Sequence, residues 1–167
     1  MIAQLPPIPH RALSLDEALA YRAALRSAHV PLVFTNGHFD LLHVGHLDYL
    51  EKARALGGAL IVGVNGDHAT ADLKGTGRPI VPAAERARLI AALVPVDAAV
   101  IFDSLTADGL ITALQPEIYA KGGDYHTKPL PERPTVEAYG GRIVLIDYLP
   151  GHSTTALIAR IRALPQG

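Results

Sequence analysis

The sequence predicts an α/β protein, a doubly wound parallel sheet of five strands with helices on both faces. Three observations carry that expectation. Short apolar runs alternate five times with helical patterns, the order that builds parallel sheets. One run, Ala59-Leu60-Ile61-Val62-Gly63-Val64, is apolar throughout, as a strand buried on both faces of a parallel sheet must be. Polar or glycine-rich clusters at 36–46, 65–67, 121–125 and 151–155 each follow a strand. In such a sheet the carboxyl ends of the strands share one edge, so these clusters converge on one mouth at the topological switch point.

The elements follow in chain order. Residues 1–13 are proline-rich at the start and read as an irregular arm, leaving 14–167 as a single domain. Ser14-Leu15-Asp16-Glu17 is a capping box, opening a helix to about Arg26 with Leu15, Ala18, Leu19 and Leu25 as apolar positions. Pro31 to Thr35 is the first strand. The next helix carries Leu47, Leu50, Ala53 and Leu56 and stops at Gly57-Gly58. Ala59 to Val64 is the second strand, and the polar, glycine-broken stretch from His68 to Pro82 reads as a long mobile loop with room for a short helical piece. A helix from Ala83 to Leu93 turns Leu89, Ile90 and Leu93 inward. Ala98 to Phe102 is the third strand, Thr106 to Leu114 a helix ended by Pro116, and Glu117 to Ala120 the fourth strand. A short helix around Thr135 to Tyr139, a fifth strand from Arg142 to Ile146 and a last helix opened by Gly151-His152-Ser153-Thr154-Thr155 complete the Rossmann-like pattern.

Composition narrows the function. The 167 residues hold 49% apolar and 19% charged side chains, those of an ordinary globular domain. A formal net charge of −1 is no electrostatic footprint for nucleic acid or an anionic membrane. The absence of cysteine excludes disulfides, thiol catalysis and cysteine metal sites. There is no signal-peptide pattern and no apolar run of membrane-spanning length, so a cytoplasmic location is expected. Homo-oligomerisation is left open.

The stretch from Thr35 to His46 holds the strongest chemical signal. It joins a strand to a helix, and His43 and His46 lie three residues apart at the helix start, on one face. Between them Gly45 lacks a Cβ and lets a ligand reach the backbone. Unpaired N–H groups and the positive dipole end suit phosphate there, and imidazoles add donors. No P-loop, complete dinucleotide fingerprint or nucleophile elbow is present. The remaining pieces also suit phosphate: Ser153-Thr154-Thr155 at a helix start, Lys121-Gly122-Gly123-Asp124 at a strand end, and Lys74 with Arg78 in the loop.

These residues also carry a family resemblance. Thr35-Asn36-Gly37-x-Phe39-Asp40-Leu41-Leu42-His43-x-Gly45-His46 resembles the D-glycero-D-manno-heptose 1-phosphate adenylyltransferases, a branch of the cytidylyltransferase-like nucleotidyltransferase superfamily. The likeness continues through Val64-Asn65-x-Asp67, Leu73-Lys74-Gly75-x-Gly77-Arg78-Pro79, Glu85-Arg86, Lys121 to Tyr125, Val136 to Gly141 and Gly151-x-Ser153-Thr154-Thr155. It covers nearly everything after Ser14, with no sugar-kinase half, as in the stand-alone form of the enzyme. One departure is His38, where close relatives usually carry cysteine.

The resemblance implies transfer of AMP from ATP to a heptose 1-phosphate, giving ADP-heptose and pyrophosphate. It makes His43 and His46 the catalytic donors. It gives Thr35, Asn36, Gly37, His38 and Phe39, with Gly45, to the α-phosphate and nucleoside. Lys121, Gly122, Gly123, Asp124, Gly151, Ser153, Thr154 and Thr155 would hold the adenosine and distal phosphates. Asp40, Asn65, Asp67, Lys74, Arg78 and Arg86 would serve the substrate phosphate and its loop. Mg²⁺ would be held chiefly by the nucleotide, with no protein metal site. Other superfamily chemistries remain open: CTP with glycerol 3-phosphate, ATP with FMN, or a nucleotide sensor without turnover. Glycerol-phosphate cytidylyltransferases typically carry two acidic residues after the fourth-strand glycine and an arginine before the Gly-x-Ser-Thr-Thr run. This chain has only Asp124 after Gly123, and Tyr148-Leu149-Pro150 before the run, which favours ATP.

Overall fold

The computed structural model describes residues 6–165. Six parallel strands form one sheet in the order β1-β4-β3-β2-β5-β6. They are β1 (Arg11–Leu13), β2 (Leu32–Gly37), β3 (Ala59–Asn65), β4 (Ala98–Phe102), β5 (Ile118–Gly122) and β6 (Arg142–Ile146). The helices are α1 (Leu15–Ser27), α2 (Val44–Arg54), α3 (Asp67–Lys74), α4 (Ala83–Ala91), α5 (Asp108–Leu114), α6 (Arg133–Ala138) and α7 (Thr154–Arg162), with a 3₁₀ turn over Gly123–His126. From β2 the chain winds outward through β3 and β4, then crosses back to β5 and β6. The switch point therefore lies between β2 and β5.

The sixth strand corrects the expectation of five. Residues 11–13 were read as part of the irregular arm, but they pair with Ala98, Ala99 and Val100 at the free edge of β4. Three residues are too few to show an alternating pattern. The pairing partner and the burial of Leu13 make them a strand. The arm's first residues, Met1 to Leu5, lie outside the described residues. The short helical piece in the stretch after β3 is α3, which occupies its first half. Gly66 precedes it, Asp67 sits in its first turn, and Gly75 at φ 90 ends it.

Two apolar clusters sandwich the sheet. Tyr21 and Leu25 of α1, Leu110, Ile111 and Leu114 of α5, and Val136 of α6 pack with Phe34 and Tyr119 on one face. Tyr49, Leu50 and Ala53 of α2 and Ala87, Ile90 and Ala91 of α4 cover Val33, Leu60 and Val62 on the other. Small alanines let α4 lie close to the sheet, so Leu89 turns outward rather than inward, and Leu15 of α1 is also exposed. The last helix differs from the others, since α7 buries none of its residues fully. No helix among the described residues is long and apolar enough to cross a membrane.

Arg22, 2% exposed, ties α1 to the far end of α5. Its Nε donates to the Leu114 carbonyl at 2.8 Å, and Nη2 donates to the Gln115 carbonyl at 2.7 Å and to Glu117 at 2.6 Å. Glu117 in turn accepts from the Leu32 backbone at the start of β2, at 2.7 Å. A buried charged donor of this kind leaves several acceptors stranded when removed. We expect Arg22→Met to lower unfolding stability by roughly 2–3 kcal/mol in urea titration.

Candidate active site

A cavity of about 700 Å³ opens at the carboxyl edge of the sheet beside the switch point. The predicted residues Asn36, Gly37, His38, Phe39, Asp40, His43, Gly45, His46, Lys74, Arg78, Lys121, Gly122, Asp124, Gly151, Ser153, Thr154 and Thr155 all line it. Thr35, Asn65, Asp67, Arg86 and Gly123 do not. Reasoning from sequence missed Tyr49, Tyr148 and His152, which also line the wall. His152 stood in plain view as the variable position of the Gly-x-Ser-Thr-Thr run, and Tyr148 in the stretch where glycerol-phosphate cytidylyltransferases typically carry arginine; Tyr49 had no local signal.

The histidine pair is built by the turn into α2. His43 is the N-cap residue, with extended backbone and no side-chain cap bond, so its ring is free. The His43 and His46 rings stack at 3.8 Å between centroids and 21°. Phe39, at φ 48, meets the His46 ring edge-on at 5.3 Å. The Nδ1 atoms of both histidines are buried and have no hydrogen-bond partner among the described residues. Both residues line the cavity. Burial pushes His46 down to about 4, and burial reinforced by His152 lowers His43. Both rings are therefore neutral near pH 7, each with one N–H to donate. A Cβ on Gly45 would stand 3.0 Å from both His43 Nδ1 and His152 Cβ. The glycine lets two helix starts close on one spot.

Across the mouth, α7 begins at Ser153, whose Oγ accepts from the Ala156 N–H at 3.0 Å. That hydroxyl is used as a cap, which leaves Thr154, Thr155 and the first backbone N–H groups to face a ligand. Gly122 ends β5 against Tyr148, whose hydroxyl occupies the place of any Cβ there.

The stretch from 75 to 82 is anchored by carboxylate and guanidinium groups. Asp40 accepts from the Ile80 and Val81 N–H groups at 2.8 and 2.9 Å and from Arg78 Nε at 2.5 Å. Burial opposes its ionisation, yet the two backbone donors and Arg78 outweigh that and hold it below the ordinary carboxylate range. Asp40 is thus an anchor for the loop. Arg86, fully buried, anchors the same stretch. It donates to the carbonyls of Val81, His38 and Asn65 at 2.7, 2.5 and 2.8 Å and pairs with Asp67 at 2.7 Å. Asp67 also accepts from the Ala83 N–H at 2.8 Å. Asn65, Asp67 and Arg86, expected to serve the substrate phosphate and its loop, do not line the cavity; their mutual contacts tie the loop to β3 and α3. Thr35 likewise turns away and bonds Tyr49 at 2.7 Å. His38 Nδ1 meets Thr70 Oγ1 of α3 at 3.0 Å, and burial with four nearby cations pushes this ring down to about 4.

Lys74, Arg78 and Lys121 make the wall cationic, and it carries two neutral imidazoles and two helix starts, which together suit a polyphosphate. The sequence pattern of the family described as "Cytidylyltransferase-like" matches residues 34–160, a span that begins in β2 and ends in α7.

The chain belongs to the cytidylyltransferase-like family.

Within it, the "Bifunctional protein HldE" of Geotalea uraniireducens (strain Rf4) is 48% identical over 149 residues, 89% of this chain and 30% of that protein. The protein of the same name from Streptomyces coelicolor is 44% identical over 163 residues, 95% of this chain and 35% of that one. The chain spans about a third of the length of these curated relatives. A solved structure, the lipopolysaccharide core biosynthesis protein from Thermoplasma volcanium GSS1, superposes with a TM-score of 0.58 at 27% identity, over 72% of this chain and 97% of that one.

The neutral state of the histidine pair has a measurable consequence. A phosphate placed beside His46 favours its protonated form and raises its pKa above the free value of about 4. The complex then holds more protons than the free protein, so binding tightens as the pH falls from neutrality towards that value. Calorimetry of tripolyphosphate binding in two buffers of different ionisation heat should show proton uptake, reduced in His46→Gln.

Proposed function

We propose that the chain is a nucleotidyltransferase that moves AMP from ATP to heptose 1-phosphate, releasing pyrophosphate. The observation that carries the reading is the stacked pair of neutral imidazoles at the start of α2, facing the start of α7 across the switch-point cavity. The likeness to proteins named HldE, and to one named for lipopolysaccharide core biosynthesis, supports a sugar phosphate as acceptor.

The chemistry follows from the wall. A phosphate oxygen of the acceptor attacks the α-phosphorus of ATP and forms a new P–O bond. The bond from that phosphorus to the bridging oxygen breaks, and pyrophosphate takes the electron pair. The nucleophile is already ionised near neutral pH, so no general base is required. Catalysis is then positioning plus stabilisation of charge on the moving phosphoryl group. His43 and His46 donate to its oxygens, and the α2 start assists. Gly37 to Phe39 supply backbone around the nucleoside. Thr154, Thr155 and the α7 start receive the distal phosphates, and Lys74 and Arg78 border the leaving group.

Mg²⁺ belongs to this reading as an ion carried in on the nucleotide. Asp40 is committed to Arg78 and two N–H groups, which leaves Asp124 as the other carboxylate lining the cavity. One free carboxylate makes no cage for a dedicated ion, and no step above runs through one. The reading further puts the enzyme in the cytoplasm with small-molecule substrates, without nucleic acid or membrane.

Turnover with ATP and heptose 1-phosphate should exceed that with CTP and glycerol 3-phosphate in kcat/KM, measured by pyrophosphate release. A preference for the second pair would overturn the reading. His46→Ala should lower kcat by about 10²–10³ while ATP affinity changes far less. Near-normal turnover in the folded variant would remove His46 from catalysis.

A further inference from the structure

Asn36 is the last side chain of β2 before the glycine turn, at the switch point itself. Its Oδ1 accepts from Tyr119 Oη at 2.7 Å and from Lys121 Nζ at 2.8 Å, both on β5. An ammonium can only donate, so the atom facing it must be the amide oxygen. The amide is therefore locked with Nδ2 turned the other way. No described residue accepts from Nδ2, and Asn36 lines the cavity. A fixed NH₂ donor points into the mouth.

Lys121 is 9% exposed. Its ammonium lies 5.6 Å from the centre of the Tyr119 ring and 5.5 Å from that of Tyr125, a cation held between aromatic faces. Burial lowers its pKa, partly offset by the charge of Glu132. An ammonium so enclosed spends its reach on Asn36.

The two walls of the mouth sit on opposite faces of the sheet. Side chains alternate along β2, so Phe34 and Asn36 share the face that carries Tyr119, whereas Thr35 bonds Tyr49 of α2 on the histidine side. Two phosphates must meet at this edge, and they repel each other. The histidine side serves the nucleotide. The other side offers a fixed donor backed by a cation.

We propose that the Asn36 carboxamide grips the attacking phosphate of the acceptor, and that Lys121 is a positioning residue that aims this amide instead of a direct phosphate ligand. The inference rests on the adenylyl-transfer reading and names the residue that receives the second substrate. Lys121 also offsets the repulsion between the two anions from behind the amide, without competing for the attacking oxygen.

The test saturates the protein with the nonhydrolysable analogue α,β-methylene ATP. Inorganic phosphate is titrated in, and heptose 1-phosphate separately, while thermal midpoints are recorded. In Asn36→Asp both inner bonds survive and the contact to Lys121 becomes an ion pair, so the midpoint holds or rises. Phosphate affinity nonetheless falls about tenfold or more. Asn36→Ala, which adds no charge, also loses phosphate affinity. Lys121→Met, with the aim of the amide relaxed, weakens phosphate binding more than it weakens analogue binding. A wild-type protein that binds no phosphate beside the analogue overturns the proposal. So does an Asn36→Ala protein that binds phosphate as the wild type does, or a loss of analogue affinity as large as that of phosphate in all three variants. Phosphate binding that depends on Asn36, without turnover of heptose 1-phosphate, supports this site and overturns the choice of sugar.

Discussion

The mouth of this protein depends on one buried cation. The guanidinium of Arg86 gathers the carbonyls of His38, Asn65 and Val81 and the carboxylate of Asp67. These groups come from the turn after β2, the end of β3, the loop before α4 and the start of α3. Backbone carbonyls that leave a sheet edge lose their ladder partners, and burying them unpaired is costly. A planar fork with five donors can satisfy several at once, where lysine offers a point charge. Arg86 thereby makes four separate segments into one wall. Asp40 repeats the device with the opposite sign, gathering N–H groups from the same loop.

On that frame the site separates charge by distance from the reacting atoms. The cations Arg78 and Lys121 each spend a donor on a protein partner, Asp40 and Asn36. The groups nearest the phosphoryl position are neutral donors: two imidazoles, threonine hydroxyls, an amide and backbone N–H groups. Neutral donors fixed before the substrate arrives need little reorganisation as charge moves in the reaction. The unpartnered Nδ1 atoms of the histidine pair fit this division, since burial without a partner disfavours the charged ring until an anion lies beside it.

Much of this was legible in the chain, for identifiable reasons. The strands β2 to β6 announce themselves as apolar runs, and the turn holding His43 and His46 is local, so its residues and their geometry lie within a few positions. What stayed hidden depends on distant partners. The strand β1 is only three residues long and exists because β4, more than eighty positions later, offers an edge. The pairing of Asp67 with Arg86 is not visible in a sequence, which shows charge but not what neutralises it. The orientation of Asn36 is set by Lys121, 85 residues away. His38 looked like a change of side chain in the nucleotide loop; its bond to Thr70 shows that it also reaches the helix bearing Lys74.

The shallow seating of α7 has a consequence of its own. The half of the mouth on α2 is rooted in the core through Leu50 and Ala53, while the half on α7 rests on a helix that buries none of its residues. Segments with few buried contacts open by local unfolding at a fraction of the global free energy. The two jaws therefore differ in lifetime: amides of α7 should exchange with solvent long before those of α2. A ligand held between them gains its exit by the fraying of one short helix, with the sheet intact.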